Sequence, residues 1–277
     1  MKVGIQGVRA CFHDVAARKF FASQAIVPIE CPTFKALAQS LRDGESDLCM
    51  MAIENSIAGS ILPNYTLLET HGFKIVGEVY LRIEMSIMAL AGQRLEDIRW
   101  VRSHPMALLQ CEDFLAAHPW MKALEGTDTA ESARDIQRDQ TQGTAAIASR
   151  LAAEAYGLEL LGEGIESNKR NYTRFLAIAR REGYVADPRS NKASIRFEVV
   201  DKPGALARVL TIFNELSVNM TKIQSIPILG RPYEYSFHVD LEWEDPTRYR
   251  EAMSRMRADV VNMIHFGEYV RNERPSQ

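Results

Sequence analysis

Residues 171–179 read Asn171-Tyr172-Thr173-Arg174-Phe175-Leu176-Ala177-Ile178-Ala179 and are closed by Arg180-Arg181. From Phe175 onward the run is short and apolar, the pattern of a buried strand. Its mouth carries an amide, a phenol, a hydroxyl and a guanidinium. Open α/β folds bind ligands in loops at strand ends, and a polar cluster entering a strand does the same when it faces a cleft. Asn and Thr also satisfy backbone groups in ordinary turns. These residues alone leave a site and a turn both open.

Outward from this stretch, strands alternate with helices. Lys2–Ile5 is predicted as a first strand, followed by a helix from about Phe12 to Phe21 with Phe12, Val15, Ala16 and Phe20 on one face. Gly4, Gly7 and Ala10 match a dinucleotide loop poorly and nothing supports it, so NAD is set aside. A proline in the strand Ile26–Ile29 predicts a sheet edge or a strand end. Thr33 caps a helix bearing Phe34, Leu37, Ala38 and Leu41. The apolar run Leu48–Ile53 suits a parallel strand covered on both faces and ends in Glu54-Asn55-Ser56. A Gly59-Ser60 turn and a helix near Tyr65–Glu69 follow.

Phe73–Leu81 and Glu84–Ala91 read as consecutive strands, the first leading into a second lobe. Next come a strand at Trp100-Val101, Ser103-His104-Pro105, and one helix carrying Ala107, Leu108, Cys111, Phe114 and Leu115. Gly126-Thr127-Asp128-Thr129 caps a helix over Ala130–Asp139. Ala145–Ala148 is a strand, a helix runs through Tyr156, and Leu158–Leu161 returns towards the first lobe. The alternation argues a two-lobed α/β architecture with largely parallel sheets. Lobe one takes about residues 1–78 and 158–182, with lobe two, about 79–157, inserted in it. Polar strand ends from both lobes then meet in a cleft.

Glu182–Lys192 is a Gly- and Pro-containing linker. Beyond it Ile195, Phe197 and Val199 alternate with polar residues, a half-buried strand. Pro203-Gly204 opens a helix, Met220–Ile228 is a strand, Leu229-Gly230-Arg231-Pro232 a hairpin, and Tyr233–Leu241 a third strand. Asp245-Pro246 starts a second helix, and Val260–Phe266 is the last strand. The order βαββαβ is ferredoxin-like.

The chain has 277 residues, 46% apolar, which suits two domains rather than one core. A net charge of −3, from 33 basic and 36 acidic residues, leaves no electrostatic footprint for nucleic acid. No apolar run is long enough to span a bilayer, and Arg9 interrupts the start too early for a signal-peptide core. Cys11, Cys31, Cys49 and Cys111 form neither C-x-x-C pairs nor zinc spacings, which points to a reducing cytoplasm and no structural metal.

Taken together, the segments resemble prephenate dehydratase with a C-terminal ACT domain, over nearly the whole chain. They are Ile53-Glu54-Asn55-Ser56 with Gly59, Ser103-His104-Pro105 with Gln110-Cys111, Asp128-Thr129-Ala130-Glu131, Ala145–Ala148 and Asn171–Phe175. The tail adds Pro203-Gly204-Ala205-Leu206 and Asn219–Ile223. The resemblance implies a periplasmic-binding-protein-like catalytic domain over residues 1–182 and an α+β ACT regulatory domain over 193–270. It implies no cofactor, and conversion of prephenate to phenylpyruvate, carbon dioxide and water in phenylalanine biosynthesis.

Such an enzyme holds a dianion and assists a departing hydroxyl without over-stabilising the carboxylate about to lose its charge. Neutral donors suit that. The resemblance gives Thr173 the catalytic role, through a hydrogen bond that strengthens in the transition state or a relay. Asn55, Ser56, Ser103 and Thr129 are candidates for the substrate oxygens, Asn171 for orienting Thr173, and Phe12 or Phe175 for an apolar wall. Glu54 is an acid or a loop anchor, and His104 a base or a helix start. Arg174 binds a carboxylate or ties the lobes together. No Ser/His/Asp triad can be assembled.

Two departures from the family pattern stand out. After the first strand, Ala10-Cys11-Phe12-His13 replaces a Gly, Ser/Thr, aromatic, Ser/Thr pattern, so Cys11 enters the site as a weak donor and His13 as a group that titrates. A helix start lowers a thiol's pKa, so Cys11 is either a reactive site thiol or inert. In the ACT domain Gln224-Ser225-Ile226-Pro227 stands where Glu-Ser-Arg-Pro is usual. The expected effector, phenylalanine, lies near Gly204, Ala205, Leu206 and Asn219, with Gln224 and Ser225. The expected assembly is a homodimer or homotetramer. Arogenate dehydratase, a non-catalytic two-lobed binding protein and an amino-acid sensor are the alternatives.

Overall fold

The computed structural model describes every residue except Ser23, Leu229, Ser276 and Gln277. By internal contact the chain forms two units, Met1–Leu67 with Val79–Ala177 and Arg274–Gln277, and Leu68–Glu78 with Ile178–Glu273.

The chain begins β1 (Lys2–Gln6), α1 (Phe12–Phe20), β2 (Val27–Cys31), α2 (Phe34–Arg42), β3 (Leu48–Asn55), β4 (Gly59–Ser60), α3 (Leu62–His71) and β5 (Lys74–Arg82). There follow β6 (Ser86–Ala89), β7 (Trp100–Ser103), α4 (Pro105–Gln110), α5 (Glu112–Ala117) and β8 (Lys122–Glu125). Next are α6 (Thr129–Asp139), β9 (Thr144–Ala148), α7 (Arg150–Tyr156), β10 (Glu159–Gly162) and β11 (Tyr172–Ala179). The first sheet has the order β2-β1-β3-β11-β5 with β4 hydrogen-bonded to β3. Both β2 and β3 run parallel to β1. Pro28 sits on the edge strand β2, where a missing N–H costs the ladder least. Cys49–Ile53 are all buried, as expected for a parallel strand covered on both faces. Thr33 caps α2 by accepting from the Ala36 N–H at 3.1 Å.

The second sheet has the order β10-β6-β9-β7-β8. Strand β7 is parallel to β8 and β9, whereas β6 is antiparallel to β9 and to β10. Four details differ from the sequence reading. Residues 158–161 do not return to the first lobe, because β10 pairs with β6. Strand β8 is an exposed edge with no apolar alternation to betray it. The helix read through residues 107–115 breaks at Cys111 (φ −111°), giving α4 and α5. Gly59-Ser60 is a short strand antiparallel to Glu54-Asn55 rather than a free turn.

In the second unit β12 (Lys192–Glu198), α8 (Ala205–Glu215), β13 (Asn219–Pro227), β14 (Tyr235–Glu242), α9 (Pro246–Met256) and β15 (Asn262–Tyr269) form an antiparallel sheet of order β13-β14-β12-β15. Ile195 and Phe197 face a core with Val209, Phe213, Val239 and Leu241. Strand β12 is not half-buried: all its residues are buried. Its polar face is covered too, with Lys192 Nζ 2.9 Å from Glu78 and 3.1 Å from Glu242, and Arg196 Nε 3.4 Å from Glu69. Leu229, read as opening the hairpin, lies outside the described residues. Among the described residues no helix is long and apolar enough to cross a membrane.

Candidate active site

A cavity of about 280 Å³ opens where the two lobes of the first unit meet. The first lobe contributes Gln6, Cys11, Phe12, His13, Asn55, Thr173 and Phe175; the second contributes Met85, His104, Gln110, Asp128 and Thr129. Strand ends and helix starts deliver these side chains: Gln6 and Asn55 end β1 and β3, Thr173 stands at the start of β11, and Phe12 and Thr129 open α1 and α6.

At its floor lies a chain of neutral hydrogen bonds. Asn55 Oδ1 accepts from the N–H groups of Ile57 and Ala58, both at 2.9 Å, which fixes which end of the amide is oxygen. Asn55 Nδ2 then donates to Asn171 Oδ1 at 2.7 Å and to Thr173 Oγ1 at 2.9 Å. Asn171 Nδ2 donates onward to Gln110 Oε1 at 3.0 Å. Because the Thr173 oxygen accepts from Asn55, its own hydrogen is available to point into the cavity.

Much of the wall is aromatic and aliphatic, from Phe12, Phe34, Phe175, Ile61, Ile83 and Met85. His13 packs edge-on to Phe34 and Phe175, with ring centroids at 5.5 and 5.0 Å. Burial pushes its imidazole down to about 3, so it is neutral at physiological pH and does not titrate there. Cys11 is 2% exposed, and its Sγ donates to the Gln6 carbonyl at 3.2 Å. Burial, aided by the nearby Asp128 carboxylate, pushes its thiol up, which opposes the activation expected at a helix start.

Asp128 caps α6, its Oδ1 accepting from Ala130 and Glu131 at 2.9 and 3.0 Å. Burial raises this carboxyl above its usual range, against the pull of those N–H groups. Gly7, at φ +101°, leaves room for it: a Cβ there would lie 2.8 Å from Asp128 Oδ2. Among the described residues no cluster of three or more His, Cys, Asp or Glu is placed to hold a metal ion.

A family model described as prephenate dehydratase matches residues 3–183, and one described as ACT domain matches residues 193–245. The chain belongs to the prephenate dehydratase family. A relative from Arabidopsis thaliana, chloroplastic arogenate dehydratase/prephenate dehydratase 2, is 36% identical over 251 residues, covering 87% of this chain and 65% of the relative. The chain thus spans less than two thirds of that relative's length. A solved prephenate dehydratase from Arthrobacter aurescens in complex with L-Phe is 27% identical with a TM-score of 0.85, covering 98% of this chain and 90% of that one. A structure described as a novel type of quorum quenching acylase is 29% identical with a TM-score of 0.88, covering 98% of each chain.

Within this prephenate dehydratase fold, strand alternation sorts the expected site residues. Side chains at i and i+2 share a face, so Thr173 and Phe175 enter the cavity, as do Asn55, Cys11, Phe12 and Thr129. Arg174 points the other way, pairing with Glu54 at 3.6 Å and lying over the Tyr80 ring. Glu54, Ser56 and Arg174 therefore line a different cavity, behind the strands. The Ser56 hydroxyl donates to the Arg170 carbonyl, and the buried Ser103 hydroxyl donates to the Ile147 carbonyl at 2.6 Å, so neither reaches the cavity of Thr173. Asn171 reaches Thr173 through Asn55 rather than directly. His104 is the N-cap of α4, its Nδ1 accepting from Met106 at 3.2 Å, yet it also lines the cavity. Sequence reasoning missed Gln110 as a partner of Asn171 and Asp128 as a cavity group. Both stand in segments that carry the family resemblance, and Asp128 has a local reason to be there as a helix cap.

In the ACT domain a cavity of about 440 Å³ is lined by Gly204, Ala205 and Leu206 at the start of α8, with Asp201, Glu234 and Phe237 among its other walls. Asn219, Gln224 and Ser225 are not in it. They lie on β13, at the edge of the sheet, and the Gln224 amide donates to the Ser225 carbonyl.

Proposed function

We propose that the chain is a carbon–oxygen lyase of phenylalanine biosynthesis that decarboxylates and dehydrates prephenate, or its amino counterpart arogenate. The observation that carries this is the Asn55 amide at 2.9 Å from the Thr173 oxygen. In the reaction the ring carboxylate leaves as carbon dioxide, its electron pair enters the ring, the C–O bond at the far side of the ring breaks, and the departing hydroxide takes up a proton from solvent to become water. Asn55 occupies one lone pair of the Thr173 oxygen and leaves the threonine hydrogen to be donated to the departing oxygen. A threonine hydroxyl is a very weak acid, so it works as a hydrogen bond that strengthens as negative charge develops on that oxygen. The aromatic and aliphatic walls leave the reacting carboxylate poorly stabilised, favouring its loss.

Acyl hydrolysis fits the geometry less well. Thr173 accepts from an amide that takes no proton, and the buried Cys11 and His13 are not hydrogen-bonded to each other. The dehydratase reading is tested by giving the purified chain prephenate and arogenate and following phenylpyruvate in alkali and phenylalanine by chromatography. Neither product above the uncatalysed rate would refute it.

The ACT cavity suits a free amino acid. The start of α8 favours a carboxylate, Asp201 and Glu234 an ammonium, and Leu206 and Phe237 an aromatic ring. Phenylalanine is the effector proposed here. The edge strand β13 offers an unpaired ladder to a second copy, supporting a homodimer or homotetramer.

A further inference from the structure

The cavity around Thr173 has an unexpected charge. No lysine or arginine is among the described residues that line it, and the imidazole of His13 is neutral. The carboxylate in it is Asp128, whose titratable neighbour in the cavity is the His104 imidazole, a minor electrostatic influence beside burial. Other carboxylates nearby are matched by arginines: Asp14 by Arg18 at 3.0 Å, Glu54 by Arg174 at 3.6 Å and Glu131 by Arg134 at 2.7 Å. Asp128 forms no ion pair among the described residues, and its side-chain hydrogen bonds there engage Oδ1 alone. Gly7 packs its backbone close to Oδ2, where a Cβ would lie 2.8 Å away.

Prephenate brings two negative charges and a neutral keto group to this cavity. A carboxylate there repels it unless that carboxylate is paired. Arogenate has an ammonium in place of the keto group. Its net charge is lower by one, and its ammonium is a partner for the free oxygen of a carboxylate. The carboxylates of either substrate still find neutral donors in Thr129 and Gln110.

We propose that Asp128 recognises the side-chain ammonium of arogenate and makes the site select the amino acid over the keto acid. This rests on the dehydratase reading and assigns its specificity. Two roles meet in one carboxylate: Oδ1 holds the first turn of α6 and Oδ2 reads the substrate. Burial raises the Asp128 carboxyl, and an ammonium beside it would pull it back towards the ordinary range.

The test is kcat/KM for both substrates with the full chain, wild type and Asp128→Asn. Asparagine caps a helix as well as aspartate, so the fold is kept, and Asp128→Ser is a second capping variant should the first be unstable. The wild type is expected to favour arogenate. Asp128→Asn lowers its kcat/KM for arogenate by about tenfold to a hundredfold, mostly through KM, as for a lost hydrogen bond to a charged group. The value for prephenate stays level or rises. Equal losses on both substrates, or a wild-type preference for prephenate that the variant leaves unchanged, would overturn the assignment alone. A wild type inactive on both would overturn the dehydratase reading and this assignment with it.

Discussion

Asn55→Asp changes one atom and should disarm the site. The new carboxylate keeps one oxygen on the Ile57 and Ala58 N–H groups. Its second oxygen replaces the amide nitrogen 2.9 Å from Thr173 Oγ1 and 2.7 Å from Asn171 Oδ1. That oxygen accepts but cannot donate. Thr173 must turn its hydrogen towards the carboxylate, away from the departing hydroxyl, and Asn171 faces an acceptor with an acceptor. Losing one preorganised donor to a developing oxyanion costs about 10²–10³ in kcat. The added charge also opposes an anionic substrate, so KM rises. Asn55→Leu, similar in size and uncharged, separates the two effects: it should lose kcat to a similar degree with a smaller change in KM. Steady-state kinetics on both substrates, with thermal melts to verify folding, give the measurement. An Asn55→Asp enzyme within about threefold of wild-type kcat would refute the claim that Asn55 aims the Thr173 hydroxyl.

His13 is held neutral, with its imidazole down at about 3, below its ordinary value of 6.5. As pH falls below 6.5 the unfolded chain takes up a proton the folded chain refuses, so stability is lost downwards from there to about 3, with a slope of about 1.4 kcal/mol per pH unit. His13→Phe should remove that slope in urea unfolding curves at pH 7 and pH 5; an unchanged slope contradicts it. Cys11, buried with a raised pKa, should react with iodoacetamide far more slowly than a free thiol, and mass spectrometry showing rapid labelling at pH 7 would be at odds with its burial. Gly204 sits at φ +79° at the start of α8, where a β-branched residue is strained. Gly204→Val should abolish the calorimetric heat of phenylalanine binding, and an unchanged heat would place the effector elsewhere.

Much of this was legible in the sequence because periodicity reports burial. The apolar run before Glu54, the Thr33 cap and the proline on β2 each mark an element whose local chemistry agrees with its place in the sheet. The βαββαβ order was readable for the same reason. The site was legible as a set of segments but not as a set of directions. Asn171–Phe175 puts four polar groups in a row, yet the strand sends Thr173 one way and Arg174 the other. The same alternation turns Glu54 away from the Thr173 cavity, whereas Asn55, at the end of its strand, borders both cavities. Which face meets the cleft depends on the neighbouring strands, and no local pattern states it. Strand β12 was read as half-buried because its polar residues alternate, but Leu68–Glu78, far away in sequence, supplies carboxylates that cover them. Asp128 was hidden by its own cap, since an aspartate at a helix start has a sufficient local reason to be there.

The central claim is that the Thr173 hydroxyl, aimed by Asn55, carries the elimination. It is tested most directly by comparing kcat for wild type, Thr173→Ser and Thr173→Val on prephenate and arogenate. The serine enzyme keeps the hydroxyl and should retain far more turnover than the valine enzyme. The valine enzyme, nearly the same shape without it, should fall by about 10²–10³ on both substrates with little change in KM. A valine enzyme that turns over at close to the wild-type rate would contradict the account.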